Sequence, residues 1–351
     1  MNDGRRRYDT LNGIRGVAAL CVAIFHAHGS FWPEQALSGY LAVDIFFVLS
    51  GFVLAEAYGA RLVSGSLTVS GLASKRLIRF YPLYLAGLLL GLAQMLAQQA
   101  TGSENALSSA ILPVALVCAV LFIPLVGGPT SIAPLNGPSW SLIYELWVNI
   151  LWAGICRRIG AASEFVILIL SGLVFAYFTV RHGDANIGTH WTEIGSGLAR
   201  TIYSFTAGLL IYRYRRRIPA METGWSLLAL LAVIALLFFD PPAGLRLPYD
   251  LAVALAMSPL LVFLAAGIEP TPSMRPLFLF LGIMSFPLYV IHMCFIAAWI
   301  YVERVIDFPP PASLFLFLSI LLFLAWLASK ADERIRQWLT RHPVKVFGSR
   351  I

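Results

Sequence analysis

Arg15 and His26 bracket ten residues, Gly-Val-Ala-Ala-Leu-Cys-Val-Ala-Ile-Phe, every one of them small or apolar. On a helix, eleven steps of about 1.5 Å separate the guanidinium from the imidazole by ~16 Å along the axis, roughly half a bilayer core. An ionisable ring at that depth is costly to keep. The chemistry it suits is proton transfer, either as a general base toward a hydroxyl or as a link in a relay.

Other polar groups are set into apolar runs in the same way. Asp44 lies in Gly39-Tyr-Leu-Ala-Val-Asp44-Ile-Phe-Phe-Val-Leu-Ser50-Gly51. A carboxylate there needs a partner. Two readings are open: a structural ion pair with an arginine such as Arg15, or assistance to His26. Ser50 and Gly51 are small enough for close helix approach, and packing is the first reading for Ser50. In Lys75-Arg76-Leu-Ile-Arg79-Phe-Tyr81-Pro82-Leu-Tyr84, the two arginines are three apart and share one helix face. Their planar forks suit phosphate oxygens, and a collar that touches headgroups is equally open. Pro82 marks a kink or a helix start.

Pro138-Ser139-Trp140-Ser141-Leu-Ile-Tyr144-Glu145 opens a further run with a helix-start signal. Glu145 is a general acid/base, an orienting group for an acceptor hydroxyl, or the partner of a cation. Ser285, Tyr289 and His292 fall at i, i+4 and i+7, one stripe of a helix that also holds Pro287. His292 is either a packing group or a second functional imidazole beside His26. His28, His182, His190 and His342 sit in or near connections and carry no signal.

The elements that must position these groups are membrane helices. The chain has 351 residues, 59% hydrophobic and only 12% charged, with a mean hydropathy of +0.78. A soluble fold of this length could not cover so much apolar surface, so an integral membrane protein is expected. The formal charge of +7 comes from short basic clusters between apolar runs, which suits loops near anionic headgroups and not nucleic acid. The four cysteines lie in or beside apolar runs without metal spacing and read as reduced packing residues. The N-terminus shows no cleavage site, so the first run is expected to be a retained helix.

Eleven apolar stretches qualify as membrane segments, at roughly 14–31, 39–58, 78–97, 107–126, 139–156, 164–180, 196–212, 224–240, 250–267, 277–302 and 312–328. The basic clusters at 5–7, 61–79, 157–158, 213–217 and 330–336 all fall inside if the fourth stretch, broken by Pro113 and Pro124, does not cross. The expected fold is therefore an all-α, polytopic helical bundle with about ten crossings and one re-entrant or interfacial segment. Residues 1–351 form a single domain, with a cytoplasmic basic N-terminus at 1–13 and a cytoplasmic tail at 330–351. On this topology Arg76 and Arg79 are at the inner end of their helix, with His26 and Glu145 in the outer halves of theirs.

No HExxH, CxxC, P-loop or Gly-x-Ser-x-Gly is present. Metal hydrolysis, nucleotide hydrolysis and the usual serine hydrolase arrangements are therefore not expected, and no metal ligands are assigned. A proton-coupled transporter that uses His26, Asp44, Glu145 and His292 as its relay is the competing class. It lacks the paired half-repeats such proteins show.

Taken in order, the Arg15/His26 pair, Asp44-Ile-Phe-Phe-Val-Leu-Ser50-Gly51, Arg76-Leu-Ile-Arg79-Phe-Tyr-Pro82, Trp140-Ser141-Leu-Ile-Tyr-Glu145 and Ser285-Phe-Pro287-Leu-Tyr289-Val-Ile-His292 resemble the acyltransferase-3 family of membrane O-acyltransferases. The resemblance covers about residues 8–330. It implies transfer of an acyl group, usually acetyl, from cytoplasmic acyl-CoA to a hydroxyl of an acceptor, often a glycan on the far side. By the same resemblance His26 is the base and Arg76 and Arg79 engage the phosphates of CoA, with Tyr81 and Tyr84 on that side. Arg15 and Glu145 match further positions that matter in the family, and the base is expected to be assisted by Arg15, Asp44 or Glu145. Trp140, Ser141, Ser285, Tyr289 and His292 shape the substrate or oxyanion pocket. No cofactor is held permanently; acetyl-CoA is a co-substrate. The partners implied are acyl-CoA, a glycan or glycosylated small molecule, the bilayer of a bacterial inner membrane and, left open, a second copy in a homodimer. Many members carry a fused hydrolase-like domain. Its absence favours a stand-alone enzyme acting on an exopolysaccharide, O-antigen, lipid-linked sugar or glycosylated metabolite.

Overall fold

The structure is a computed structural model and describes residues 7–27, 37–104, 106–128, 131–306 and 308–341. Arg5, Arg6, His28, His342, the end of the stretch at 14–31 and the tail beyond 341 lie outside the described residues. Among those described, every regular element is helical. The chain begins with α1 (Asp9–His26). Next come α2 (Ala42–Leu54), a π-helical turn at Ala55–Gly59 and α3 (Ala60–Ser64), which ends on Gly65 at φ +84°. Thr68 caps α4 (Val69–Ala100), its hydroxyl accepting from the Gly71 amide at 3.0 Å. Then follow α5 (Leu112–Val120), α6 (Ser139–Ile155), α7 (Ala161–His182), α8 (Ile194–Arg213) and α9 (Trp225–Phe238). A π turn at Val253–Met257 joins α10 (Arg246–Ala252) to α11 (Ser258–Ala265). The long α12 (Arg275–Val305) and α13 (Pro310–Arg341) complete the bundle.

Among the described residues, six helical segments are long and apolar enough to cross a membrane: Gly39–Ser64, Val69–Ala100, Ala161–His182, Arg246–Ala265, Arg275–Val305 and Pro311–Leu339. Their outward residues, such as Leu89, Ile169, Leu173 and Phe315, are large and apolar, as a lipid-facing surface requires. The chain is an integral membrane protein.

Two close helix pairs carry the centre. α1 and α12 run parallel, and glycines let their backbones meet. A Cβ at Gly16 would stand 2.4 Å from the Leu281 carbonyl, and one at Gly282 would stand 2.7 Å from Asn12. α2 and α8 do the same. A Cβ at Gly51 would lie 2.0 Å from the Phe205 carbonyl, and one at Gly208 would lie 2.0 Å from the Val48 carbonyl. Small residues matter here because association within lipid rests on backbone proximity and not on expelling water.

The fourth apolar stretch holds only the nine residues of α5, about 14 Å of helix and half a bilayer core. Its C-terminal carbonyls accept hydrogen bonds from side chains of α4: the Tyr84 hydroxyl donates to Ala119 at 2.8 Å and the Tyr81 hydroxyl to Val120. Trp147 Nε1 of α6 donates to the Phe122 carbonyl at 3.2 Å. The chain then turns back through the bond from Leu125 N to Ile132 O. The neighbours satisfy backbone groups that lipid could not. Pro82 and Pro287 both lie inside unbroken helices, so Pro82 is not a helix start.

The basic clusters share one end of the bundle. Arg157 Nε donates to the Leu62 carbonyl at 2.8 Å, Arg213 forks onto Glu164 at 2.7 and 2.6 Å, and Arg336 reaches the Arg79 carbonyl at 2.7 Å. The opposite end holds Tyr40, Asp184, Glu193, Asp240 and Asp250, knit by bonds such as Tyr40 to Asp250 at 2.6 Å.

Candidate active site

Parallel packing of α1 on α12 brings the two intramembrane histidines together. His292 Nε2 is 3.0 Å from His26 Nδ1. Each ring also faces the carbonyl one turn back on its own helix: His292 Nδ1 is 3.0 Å from Leu288 O, and His26 Nδ1 is 3.1 Å from Val22 O. These contacts fix the tautomers of the neutral rings. A carbonyl only accepts, so His292 Nδ1 carries its proton and its Nε2 is bare. His26 Nδ1 then faces two acceptors and must donate. The lone pair of His26 is left on Nε2, which makes no hydrogen bond to a described residue. His292 is fully buried, whereas His26 is exposed at the end of α1. The arrangement is an imidazole with one free ring nitrogen, held by a second imidazole that is itself locked by backbone.

Toward the basic end, Arg15, Arg76 and Arg79 line a cavity of about 100 Å³, with Ser50, Glu145, Ser141, Ser285 and Tyr289 in the same wall and Val43, Phe46, Phe80 and Phe286 supplying apolar faces. Glu145 accepts from Arg76 Nη2 and from the Ser50 hydroxyl, both at 2.5 Å. Arg15 Nε donates to Ser285 Oγ and its Nη2 to Gly282 O, each at 2.9 Å. Arg15 Nη1 and the whole Arg79 guanidinium make no hydrogen bond to a described residue. Three cations against one carboxylate leave the cavity with unspent positive charge. That suits an anion.

The structural ion pair expected of Asp44 forms, and its arginine is Arg200 and not Arg15. Arg200 of α8 takes both its oxygens, Nε at 2.8 Å and Nη2 at 2.7 Å, with both side chains essentially unexposed. The rest of that guanidinium is spent on the carbonyls of Tyr40, Ala185 and Ile187. Arg15 lacks that reach because Ser285 and Gly282 hold it on α12. Glu145 stands with Arg76 and not with His26, because the chain enters α6 well inside the bundle, beside Tyr289. The Ser285 hydroxyl spends its proton on Gly282 O at 2.8 Å, which leaves it no donor for an oxyanion. Tyr289 is likewise engaged, with Ser141 at 2.7 Å and Pro138 O at 3.0 Å. Tyr81 and Tyr84 tether α5 and do not enter the cavity. Trp140 packs edge-on against Tyr144 and Phe47 and stays outside it.

Ser50, first read as packing, is a polar member of the cavity, while its neighbour Gly51 does the packing. Arg200 was not singled out at all. The signal was present: Asp44 needs a cation, and Arg200 is a lone arginine within the apolar stretch at 196–212. The stripe on α12 does unite the site. Ser285 and Tyr289 face the cavity, and the His292 ring lies 6.0 Å from that of Tyr289.

A helical membrane protein with an imidazole pair, one ring buried and one exposed, and an arginine-lined cavity is suited to proton transfer and to binding an anion. The chain belongs to the acyltransferase-3 family: the profile described as an acyltransferase domain matches residues 8–330. It is 38% identical over 181 residues to "Protein 2 in picA locus" of Rhizobium radiobacter, covering 48% of this chain and 92% of that one. It is 32% identical over 167 residues to "Acyltransferase MdmB" of Streptomyces mycarofaciens, which is 44% of this chain and 41% of that protein. It is 27% identical over 299 residues to "Exopolysaccharide production protein ExoZ" of Rhizobium meliloti (strain 1021), at 79% and 83% coverage. No solved structure matches.

Proposed function

We propose that the protein is a membrane O-acyltransferase that moves an acetyl group from cytoplasmic acyl-CoA to a hydroxyl of an extracytoplasmic or membrane-associated glycan or glycosylated acceptor. The observation that carries this reading is the tautomer-locked pair of His26 and His292 (3.0 Å). It leaves a free lone pair where an acceptor hydroxyl could approach. The exopolysaccharide-related relative supports a glycan acceptor. About ten crossings with both termini cytoplasmic accord with the basic clusters gathered at one end.

In the proposed reaction, the phosphates of acyl-CoA sit against Arg79 and Arg76, and the thioester reaches toward α12. His26 Nε2 removes the proton of the acceptor hydroxyl as its oxygen forms a bond to the thioester carbon. Positive charge that develops on His26 is relayed through Nδ1–H to His292 Nε2. The carbonyl oxygen gains negative charge as the tetrahedral centre forms. Collapse breaks the carbon–sulfur bond, and the CoA thiolate takes the proton from His26. A covalent acyl-His26 intermediate is the variant that splits this into two steps.

Purified protein supplied with acetyl-CoA and a hydroxylated glycan should release thiol, and glycans from a deletion strain should be lighter by one acetyl group. No thiol release, with transport of a glycan or a proton current instead, would favour the exporter class.

A further inference from the structure

We infer that Arg336 of α13, with Arg79, forms a second phosphate-binding fork at the basic end of the cavity and grips the nucleotide phosphates of the acyl donor. This rests on the acyl-CoA reading above and extends it to a residue beyond the family match, which ends at 330. The α13 helix continues past its apolar part, and its last turns pack beside α4. There Arg336 Nη2 donates 2.7 Å to the main-chain carbonyl of Arg79, which fixes one guanidinium at the foot of the other. Arg79 is exposed, lines the cavity and spends none of its side-chain donors on a described residue, so the cavity opens beside it.

Arg336 is only partly spent. Asp332 holds Nη2 at 2.5 Å. Its Nε is buried and has no hydrogen-bond partner, and neither has Asp332 Oδ1. A buried, unpartnered guanidinium N–H is a costly thing to leave without an acceptor. Phosphate oxygens would satisfy it, since Arg presents Nε and Nη donors as one edge to such a group. Asp332 and the Arg79 carbonyl share Nη2 of that edge, at 2.5 and 2.7 Å. Among the described residues, Arg15, Arg76 and Arg79 line the cavity with Glu145 as its carboxylate, and Arg336 beside Arg79 has Asp332, so a multiply charged nucleotide is the fitting anion. An anionic lipid headgroup offers the same phosphate chemistry, and the test below separates the two.

The test compares wild type, Arg336→Gln and Arg336→Lys in phosphatidylcholine nanodiscs, with acetyl-CoA or acetyl-pantetheine as donor and thiol release as readout. Acetyl-pantetheine carries the same thioester without the nucleotide phosphates. The expected result is a KM for acetyl-CoA raised about 10–100-fold in Arg336→Gln at nearly unchanged kcat. Arg336→Lys should recover part of this, and kcat/KM for acetyl-pantetheine should be the same in all three. A purely structural role would lower activity with both donors alike and would overturn the inference. So would an Arg336→Gln protein that matches wild type here yet loses a stabilisation that phosphatidylglycerol gives the wild type, which would assign the site to lipid. Wild type releasing no thiol from either donor would overturn the acyl-transfer reading and this inference with it.

Discussion

His292 Nε2 accepts the Nδ1 proton of His26 across 3.0 Å, joining two residues that are 266 apart in the chain. In the proposed reaction His292 is a positioning residue for the base. His292→Ala should lower kcat by about 10²-fold with little change in KM, because the His26 ring loses its orienting acceptor. His292→Gln, which can keep an acceptor oxygen near Nδ1, should recover part of that loss. Equal damage from both variants, with KM moving in step, would assign His292 to packing.

Asp44 and Arg200 should behave as architecture. Breaking a fully buried pair leaves an uncompensated charge, typically costing about 3–5 kcal/mol. Asp44→Ala should sharply lower the unfolding temperature in detergent, and the joint change Asp44→Leu with Arg200→Met should restore much of it. The folded double variant should keep its KM for acetyl-CoA. Restored stability without restored activity would return Asp44 to the chemistry.

Gly51 has no room for a side chain. Gly51→Ala drives a methyl group into the Phe205 carbonyl, which would be only 2.0 Å away, so α2 and α8 must separate. Lower folded yield and a lower unfolding temperature are expected, measured by size-exclusion profile and thermal unfolding. Wild-type values would show that this helix pair tolerates separation.

Tyr84→Phe removes one hydrogen bond to the end of α5, worth about 1 kcal/mol. Faster proteolysis around 119–128 should follow, with the KM for acetyl-CoA unchanged. A raised KM would instead make Tyr84 a donor ligand, as the family resemblance suggests.

Much of the fold can be read along the chain, and the reason is physical. Hydrocarbon demands helices, so apolar runs such as 78–97 and 277–302 declare themselves, and Pro113 and Pro124 mark the stretch that holds only the short α5. The stripe of Ser285, Tyr289 and His292 is legible from helical spacing alone. Pairing across helices is not. Asp44 announces a need for a cation but not which one, and Arg15 and Arg200 both fit on charge. The choice depends on glycines that set α1 against α12 and α2 against α8. Likewise the His26–His292 contact follows from the parallel packing of two distant helices, which no local pattern encodes.

The central claim is that His26 Nε2 is the base. Its direct test is acetyl transfer by His26→Ala, followed as thiol release with acceptor present, in protein shown to bind acetyl-CoA as wild type does. The account predicts loss of transfer by at least about 10²-fold with donor affinity retained. Transfer at the wild-type rate would contradict it, in both the direct and the acyl-histidine forms.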